Sequence, residues 1–325
     1  MTFTIAPTPL KYSHSVGNLA LTGRGFSNPY DVTVVGGRVL YVVNRSNANQ
    51  APQGAVRVTI CTVDEEYIGT MAGYGEDDGG LIWPTSITND SEGNVYIADE
   101  HRHDVQVFNR DHEFVRKFGT YGSGPTDMDR PSGLAADAND NIFVVDHMNN
   151  RIQKRRPDGE LVTQWGSFGD GPGEFNLPWG VCTDKDGDVY VADWRNDRIQ
   201  KFTNDGQFIS SIGRSGSGIG ELKRPANVCV DAKGNIYVAD WGNERVSVFS
   251  DLGYPITSVI GDSEMSKWGA EFLAANQDLV EGRKLVDMTP EKRLHGPTAV
   301  ETDSEGHVII VDSCRHRLQI YDRLS

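Results

Sequence analysis

Five of the eight histidines in this 325-residue chain, His101, His103, His147, His295 and His316, fall at two kinds of place: close to a recurring proline, or just after a recurring apolar run that ends in Asp. Arginines and aromatic residues share those places. Asn28/Tyr30, Trp83/Thr85, Arg130/Ser132, Leu177/Trp179, Arg224/Ala226 and Gly296/Thr298 flank six prolines, and Arg45, Glu100, His147, Trp194, Arg195, Trp241, Cys314 and Arg315 follow the runs. Imidazole titrates near neutrality, so His101 and His147 are the candidates for general acid–base work. Arg45, Arg130 and Arg224 offer fixed positive charge to an anion. Tyr30, Trp83, Trp179, Trp194 and Trp241 offer flat walls for an aromatic or apolar group, with His295 as a further ligand contact. Three imidazoles meeting on one axis, such as His101, His147 and His295, would also make an open zinc site. No nucleophile elbow, phosphate loop or dinucleotide fingerprint competes with these residues.

What must position them is a repeat. Pro84, Pro131, Pro178 and Pro225 stand 47 residues apart, each opening a unit of the type L-P-W-G-V-C-T-D-K-D-G-D-V-Y-V-A-D-W-R-N-D-R-I-Q-K-F. A degenerate copy begins at Pro29, and a sixth, GPTAVETDSEGHVIIVDSCRHRLQIY, at Pro297 after a gap of 72 residues. Inside each unit, short apolar runs are separated by D-x-x-G turns, which is the grammar of strands and hairpins. For the unit at Pro178 the strands are 180–184 (a), 188–193 (b), 198–202 (c) and 207–213 (d). A lone four-stranded sheet cannot bury both faces, so such units stack around an axis. Six units predict an all-β, six-bladed propeller of antiparallel blades, one domain over residues 1–325. The last unit lacks strand d, and residues 10–17, LKYSHSVG, match its pattern. The N-terminus is therefore expected to close the ring and remove an exposed edge.

The pattern P-x-G-V-x-x-D-x-x-G-N-V-Y-V-A-D…N-R-I-Q-K-F…G, strongest over residues 84–250, resembles the NHL repeat. Propellers of this kind include a zinc-dependent lyase that completes peptide amidation, sensor domains of serine/threonine kinases, and RNA- or protein-binding modules. In the amidating lyases the zinc ligands include histidines directly after the strand-a proline, as P-H-G. Here those places hold Tyr30, Thr85, Ser132, Trp179, Ala226 and Thr298. The resemblance thus implies the fold, while neither metal nor cofactor is expected.

In such a blade the b–c and d–a loops share one face. Both long departures from the repeat, residues 44–55 and 262–296, fall on it. The second carries Met265, Trp268, Phe272, Ala275 and Leu279 at helical spacing, predicting one helix over 263–281, capped by Asp262 or Ser263 and forming either a lid over the tunnel or packing at a blade rim. Residues that recur read as frame: Asp99, Asp146, Asp193, Asp240 and Asp312 tie down the b–c loop, Arg151, Arg198, Arg245 and Arg317 bridge blades, and Cys182 and Cys229 belong to the core. A net charge of −15 works against nucleic-acid and membrane partners. The four cysteines show no C-x-x-C, and no apolar run approaches bilayer length, so a reduced, cytoplasmic protein is expected. Two functions remain open: a binder or enzyme (lyase or hydrolase) for a small anionic or aromatic molecule, and a non-catalytic propeller gripping a peptide or protein.

Overall fold

The computed structural model describes residues 10–45 and 53–323. Six sheets, antiparallel apart from the two-residue strand Gly80–Leu81 that joins the first blade in parallel, follow one another around an axis. In blade 4 the strands are Val181–Thr183 (a), Val189–Asp193 (b), Arg198–Phe202 (c) and Phe208–Ile212 (d). Strand b is buried along its whole length in blades 2 to 5, which explains why its sequence reads as a continuous apolar run: neighbouring blades cover both of its faces. Strand d alternates partly buried with exposed residues, as the outermost strand of a half-covered sheet should.

Blade 6 combines the two ends of the chain. Pro297–Thr302, His307–Asp312 and Arg317–Arg323 supply strands a to c, and Leu10–Val16 pairs antiparallel with Arg317–Arg323 as strand d. Each gap between blades is filled by an apolar core, and each core receives one plug from a d–a connector: Phe26, Leu81, Met128, Phe175, Leu222 and Leu294. The plug lies so close to the end of the preceding strand d that only glycine fits there. A Cβ on Gly166, whose φ is +102°, would lie 2.6 Å from the Phe175 ring, and one on Gly17 2.2 Å from Phe26.

The recurring Asp and Arg form a hub in each of blades 3 to 6. Asp193 is fully buried, accepts the Asn176 amide at 2.8 Å and pairs with Arg198 at 2.8 Å. Arg198 goes on to donate to the carbonyls of Gly171 and Glu174 in the connector entering the blade. The arginine thus ties its own blade to the incoming connector rather than reaching directly into a neighbouring blade.

The 262–296 segment is not one helix. It forms α1 (Lys267–Ala274), α2 (Gln277–Arg283) and α3 (Thr289–Lys292), and the N-cap is Ser266, whose Oγ accepts the Gly269 amide. The chain breaks at Asn276, where ψ swings to 76°, so the expected apolar stripe splits. Trp268 alone is buried, in the core between blades 6 and 1, while Met265, Phe272 and Leu279 stay exposed. No described helix is long and apolar enough to cross a membrane.

Candidate functional site

The mouth of the axial channel is built from two rings of equivalent positions. One is the residue after the strand-a proline. The other is the residue directly after the Asp, or Asn44, that ends strand b: Arg45, Glu100, His147, Trp194, Trp241 and Ser313. The hub pins the end of strand b, so its next side chain is delivered inward in each blade. Tyr30, Arg45, Glu100, Arg130, His147 and Trp179, with Asn28, Ser313 and Cys314, line a cavity of about 430 Å³. Tyr30, Trp179, Trp194, Trp241, Ala226 and Thr298 line an adjoining recess of about 250 Å³. The larger space lies within the range that takes a small ligand.

Trp179 is the centre of this wall. Its ring stands edge-on to His147 (centroids 4.7 Å apart), 6.3 Å from Tyr30 and 6.2 Å from Trp194. The Arg45 guanidinium lies 5.1 Å over the Tyr30 ring and is held by both Glu100 oxygens, at 2.7 and 3.2 Å. That pair neutralises itself. Among the described residues Arg130 has no carboxylate within ion-pair distance, so the mouth carries an uncompensated positive charge. Burial pushes the Tyr30 phenol up to about 12, which keeps it neutral. Burial likewise holds His147 below the ordinary histidine value, against the Pro178 carbonyl. His147 Nδ1 lies 2.9 Å from that carbonyl oxygen, so Nδ1 carries the proton and Nε2 is left as a free acceptor. Among the described residues the arrangement therefore offers aromatic faces, one cation without a carboxylate partner and one imidazole base.

Four expected site residues do not line either space. His101 sits one position beyond the inward one, which Glu100 occupies, and packs edge-on against Trp83 at 5.1 Å. Trp83 stands behind Arg45, 5.7 Å beneath its guanidinium. Arg224 stacks 5.1 Å over the back of Trp194. His295 is exposed and bound to Glu244 at 2.7 Å. Glu100 and Cys314, which the sequence places on this face without a ligand role, and Ser313, which it does not single out, also line the mouth; each lies immediately or two places after the strand-b Asp. The helical segment does not cover the mouth either, for none of residues 262–295 lines it. It is fastened at the blade 6–blade 1 rim, where Ser266 Oγ donates to the Gly17 carbonyl at 2.8 Å and the Trp268 amide donates to Glu65 at 3.3 Å. Most of the other expected insertion, residues 46–52, lies outside the described residues. No three His, Cys, Asp or Glu side chains converge as a metal-ligand group among the described residues.

Deeper in the channel the walls are the middles of the a strands, around a space of about 180 Å³ that includes Asp31, Cys182, Cys229 and Glu301. The two cysteines, expected in the core, face this channel as well as the blade interiors. Asp31 accepts from Ser86 Oγ at 2.6 Å and the Ile87 amide at 3.0 Å, and Glu301 from the Cys229 thiol at 3.4 Å. Burial raises Asp31 to about 6 and Glu301 to about 7.

The NHL repeat model matches residues 175–202, 222–249 and 294–321, and a 6-bladed beta-propeller model matches residues 81–154. The chain carries NHL repeats on a six-bladed β-propeller. No curated protein sequence matches it. Among solved structures, this NHL propeller is similar to a protein of unknown function from Bacteroides thetaiotaomicron (20% identity, 98% of this chain and 74% of that chain, TM-score 0.62). It is similar to an auxiliary nutrient binding protein from Bacteroides ovatus (11% identity, 98% and 78%, TM-score 0.63). A catalytically inactive virginiamycin B lyase from Staphylococcus aureus, solved with quinupristin, is also similar (12% identity, 97% and 100%, TM-score 0.59). At these identities the likeness shows the fold alone.

Proposed function

We propose that this NHL propeller binds a small aromatic anion at the channel mouth, with Trp179, Tyr30, Trp194 and Trp241 against its ring and Arg130 against its charge. The observation that carries this reading is the contrast within a single repeat. The Asp that ends strand b recurs in five blades, with Asn44 in its place in the first, yet the very next residue is Arg45, Glu100, His147, Trp194, Trp241 or Ser313. A frame fills equivalent places with equivalent residues, and this ring does not. Nε2 of His147 is placed to take a proton from a bound molecule or from water, the opening step of a lyase or hydrolase reaction. Arg224, Trp83, His101 and His295 then act behind the wall. A nutrient-binding protein and an antibiotic lyase among the similar propellers support a small ligand at this kind of scaffold.

Calorimetric titration with 1-naphthoate and with its neutral amide tests this. The acid should bind saturably and the amide at least about 10-fold more weakly, a difference that Arg130→Ala erases. Equal binding of acid and amide would remove the charge from the reading. A second reading, docking of a peptide, is favoured by Trp241, which lines the recess at the mouth and is 38% exposed.

A further inference from the structure

At four blade junctions the same hydrogen bond recurs. The residue that ends the b–c turn is left-handed and accepts the backbone N–H of the residue preceding the next strand-a proline, which is left-handed too. Asn150 Oδ1 takes the Leu177 amide at 2.8 Å, and Asp197 Oδ1 the Arg224 amide at 2.7 Å. At the other two junctions the acceptor is a histidine: His103 Nδ1 takes the Arg130 amide at 3.1 Å, and His316 Nδ1 the Asn28 amide at 3.0 Å. An amide or carboxylate oxygen accepts at any pH near neutrality. An imidazole nitrogen accepts only when it carries no proton.

The two histidine latches are also the two that end on residues of the mouth cavity, Asn28 and Arg130. Asn28 passes the constraint on, because its carbonyl accepts the Arg45 amide at 3.0 Å. The His316 latch spans blades 6 and 1, the seam where the first and last strands close the ring. We propose that His316, and more weakly His103, are positioning residues that hold the mouth and the closing seam only while their imidazoles are neutral, so that acid loosens the site described above.

The surroundings separate the two. Burial alone holds His316 below the ordinary histidine value. Its flanking charges are engaged elsewhere, Arg315 with Glu291 and Arg317 with Asp312. His103 is also lowered by burial and by Arg130 and His101, but Asp99 and Asp129 act the other way, and Asp129 Oδ1 lies 3.4 Å from Nδ1 beside the Tyr121 ring. A proton on His103 therefore finds a carboxylate, whereas a proton on His316 does not. Because the folded value is depressed, the latch contributes its full stability above the unfolded histidine value of about 6.5 and loses it as pH falls through the folded value. His147 leaves the latch readout unaffected, since protonated imidazole still donates to the Pro178 carbonyl; its proton adds positive charge to the mouth equally in the wild type and in His316→Asn, so the affinity arm is read as the difference between the two.

The neighbouring blades supply the control substitution, because Asn150 does the same work with an amide. Amide hydrogen exchange, corrected for intrinsic rates, is followed from about pH 7.5 to about pH 5.5 in the unliganded protein and in His316→Asn. Asn28 should lose protection about 5-fold or more relative to Leu177 in the wild type, and should keep it in His316→Asn. Protection at Asn28 that tracks Leu177 throughout would overturn the latch, and the wild-type measurement decides this even if the variant fails to fold. The site reading rests on a separate arm, 1-naphthoate affinity over the same range. Affinity that weakens in the wild type relative to His316→Asn supports the coupling. A titrating latch with an affinity that follows that of His316→Asn would refute the coupling, and a titrating latch without any binding would count against the ligand reading alone.

Discussion

Trp268→Ala tests where the helical segment belongs. The indole is 5% exposed and packs with Val16, Phe26 and Leu318 in the core between the last and first blades. Its ring centroid lies 6.1 Å from Phe26 and 6.2 Å from Tyr67. Truncating a buried tryptophan to alanine costs about 3–5 kcal/mol through lost transfer energy and the cavity left behind. At about 2 °C per kcal/mol for a chain of this size, the melting temperature should fall by about 6–10 °C. Phe272, on the same helix but 53% exposed, is the control, and Phe272→Ala should cost less than about 0.5 kcal/mol. Differential scanning calorimetry of the two variants reads both values. Affinity for 1-naphthoate should survive Trp268→Ala, since no residue of the three helices lines the mouth. A melting temperature unchanged by Trp268→Ala, or a lost affinity with stability intact, would refute the rim anchoring and restore a lid.

Deleting residues 1–17 should destabilise the ring far beyond an ordinary terminal truncation, because it removes the pairing with Arg317–Arg323 and takes Val16 from the seam; an unchanged melting temperature would contradict the closure. Glu301→Gln should stabilise the protein near pH 8 and far less near pH 4. Its carboxyl is raised to about 7, so the stability it allows is present below the unfolded value and is lost as pH rises through the folded one. Unfolding free energies at the two pH values check the sign. Dialysis against a chelator should leave the melting temperature unaltered, as measured alongside elemental analysis of the purified protein.

The sequence carried the architecture almost completely, for physical reasons. A period of 47 residues fixes four strands per blade, and an unmatched strand at one end with a missing one at the other leaves a single economical way to close the ring. Which loops share the face of the candidate site was legible too, because strand alternation decides which loops share an end. The inward position was harder. His101 and Glu100 are adjacent, and only the hub geometry, with Asp99 holding the Ile82 and Trp83 amides, shows that the first residue after strand b points to the axis and the second to the rim. Trp83 reads as a wall and Arg224 as a charge partner because aromatic and guanidinium groups near a mouth look alike in sequence whether they face it or back it. The segment after Asp262 failed differently: helical spacing over 263–281 ignores Asn276, where the backbone leaves the helix, and a spacing argument cannot say which side of the ring a helix reaches. The histidine latches carry no signal in one unit taken alone. They emerge only when His103 and His316 are aligned with Asn150 and Asp197 and the shared hydrogen bond is seen.

The central claim, that the varied ring at the channel mouth is a ligand site, is tested most directly by the affinity of 1-naphthoate for Trp179→Ala and for Lys185→Ala on the opposite face. The account predicts that binding is lost in Trp179→Ala, with a melting temperature within a few degrees of the wild type, and is unchanged in Lys185→Ala. Binding that survives without Trp179, or that fails without Lys185, would contradict it.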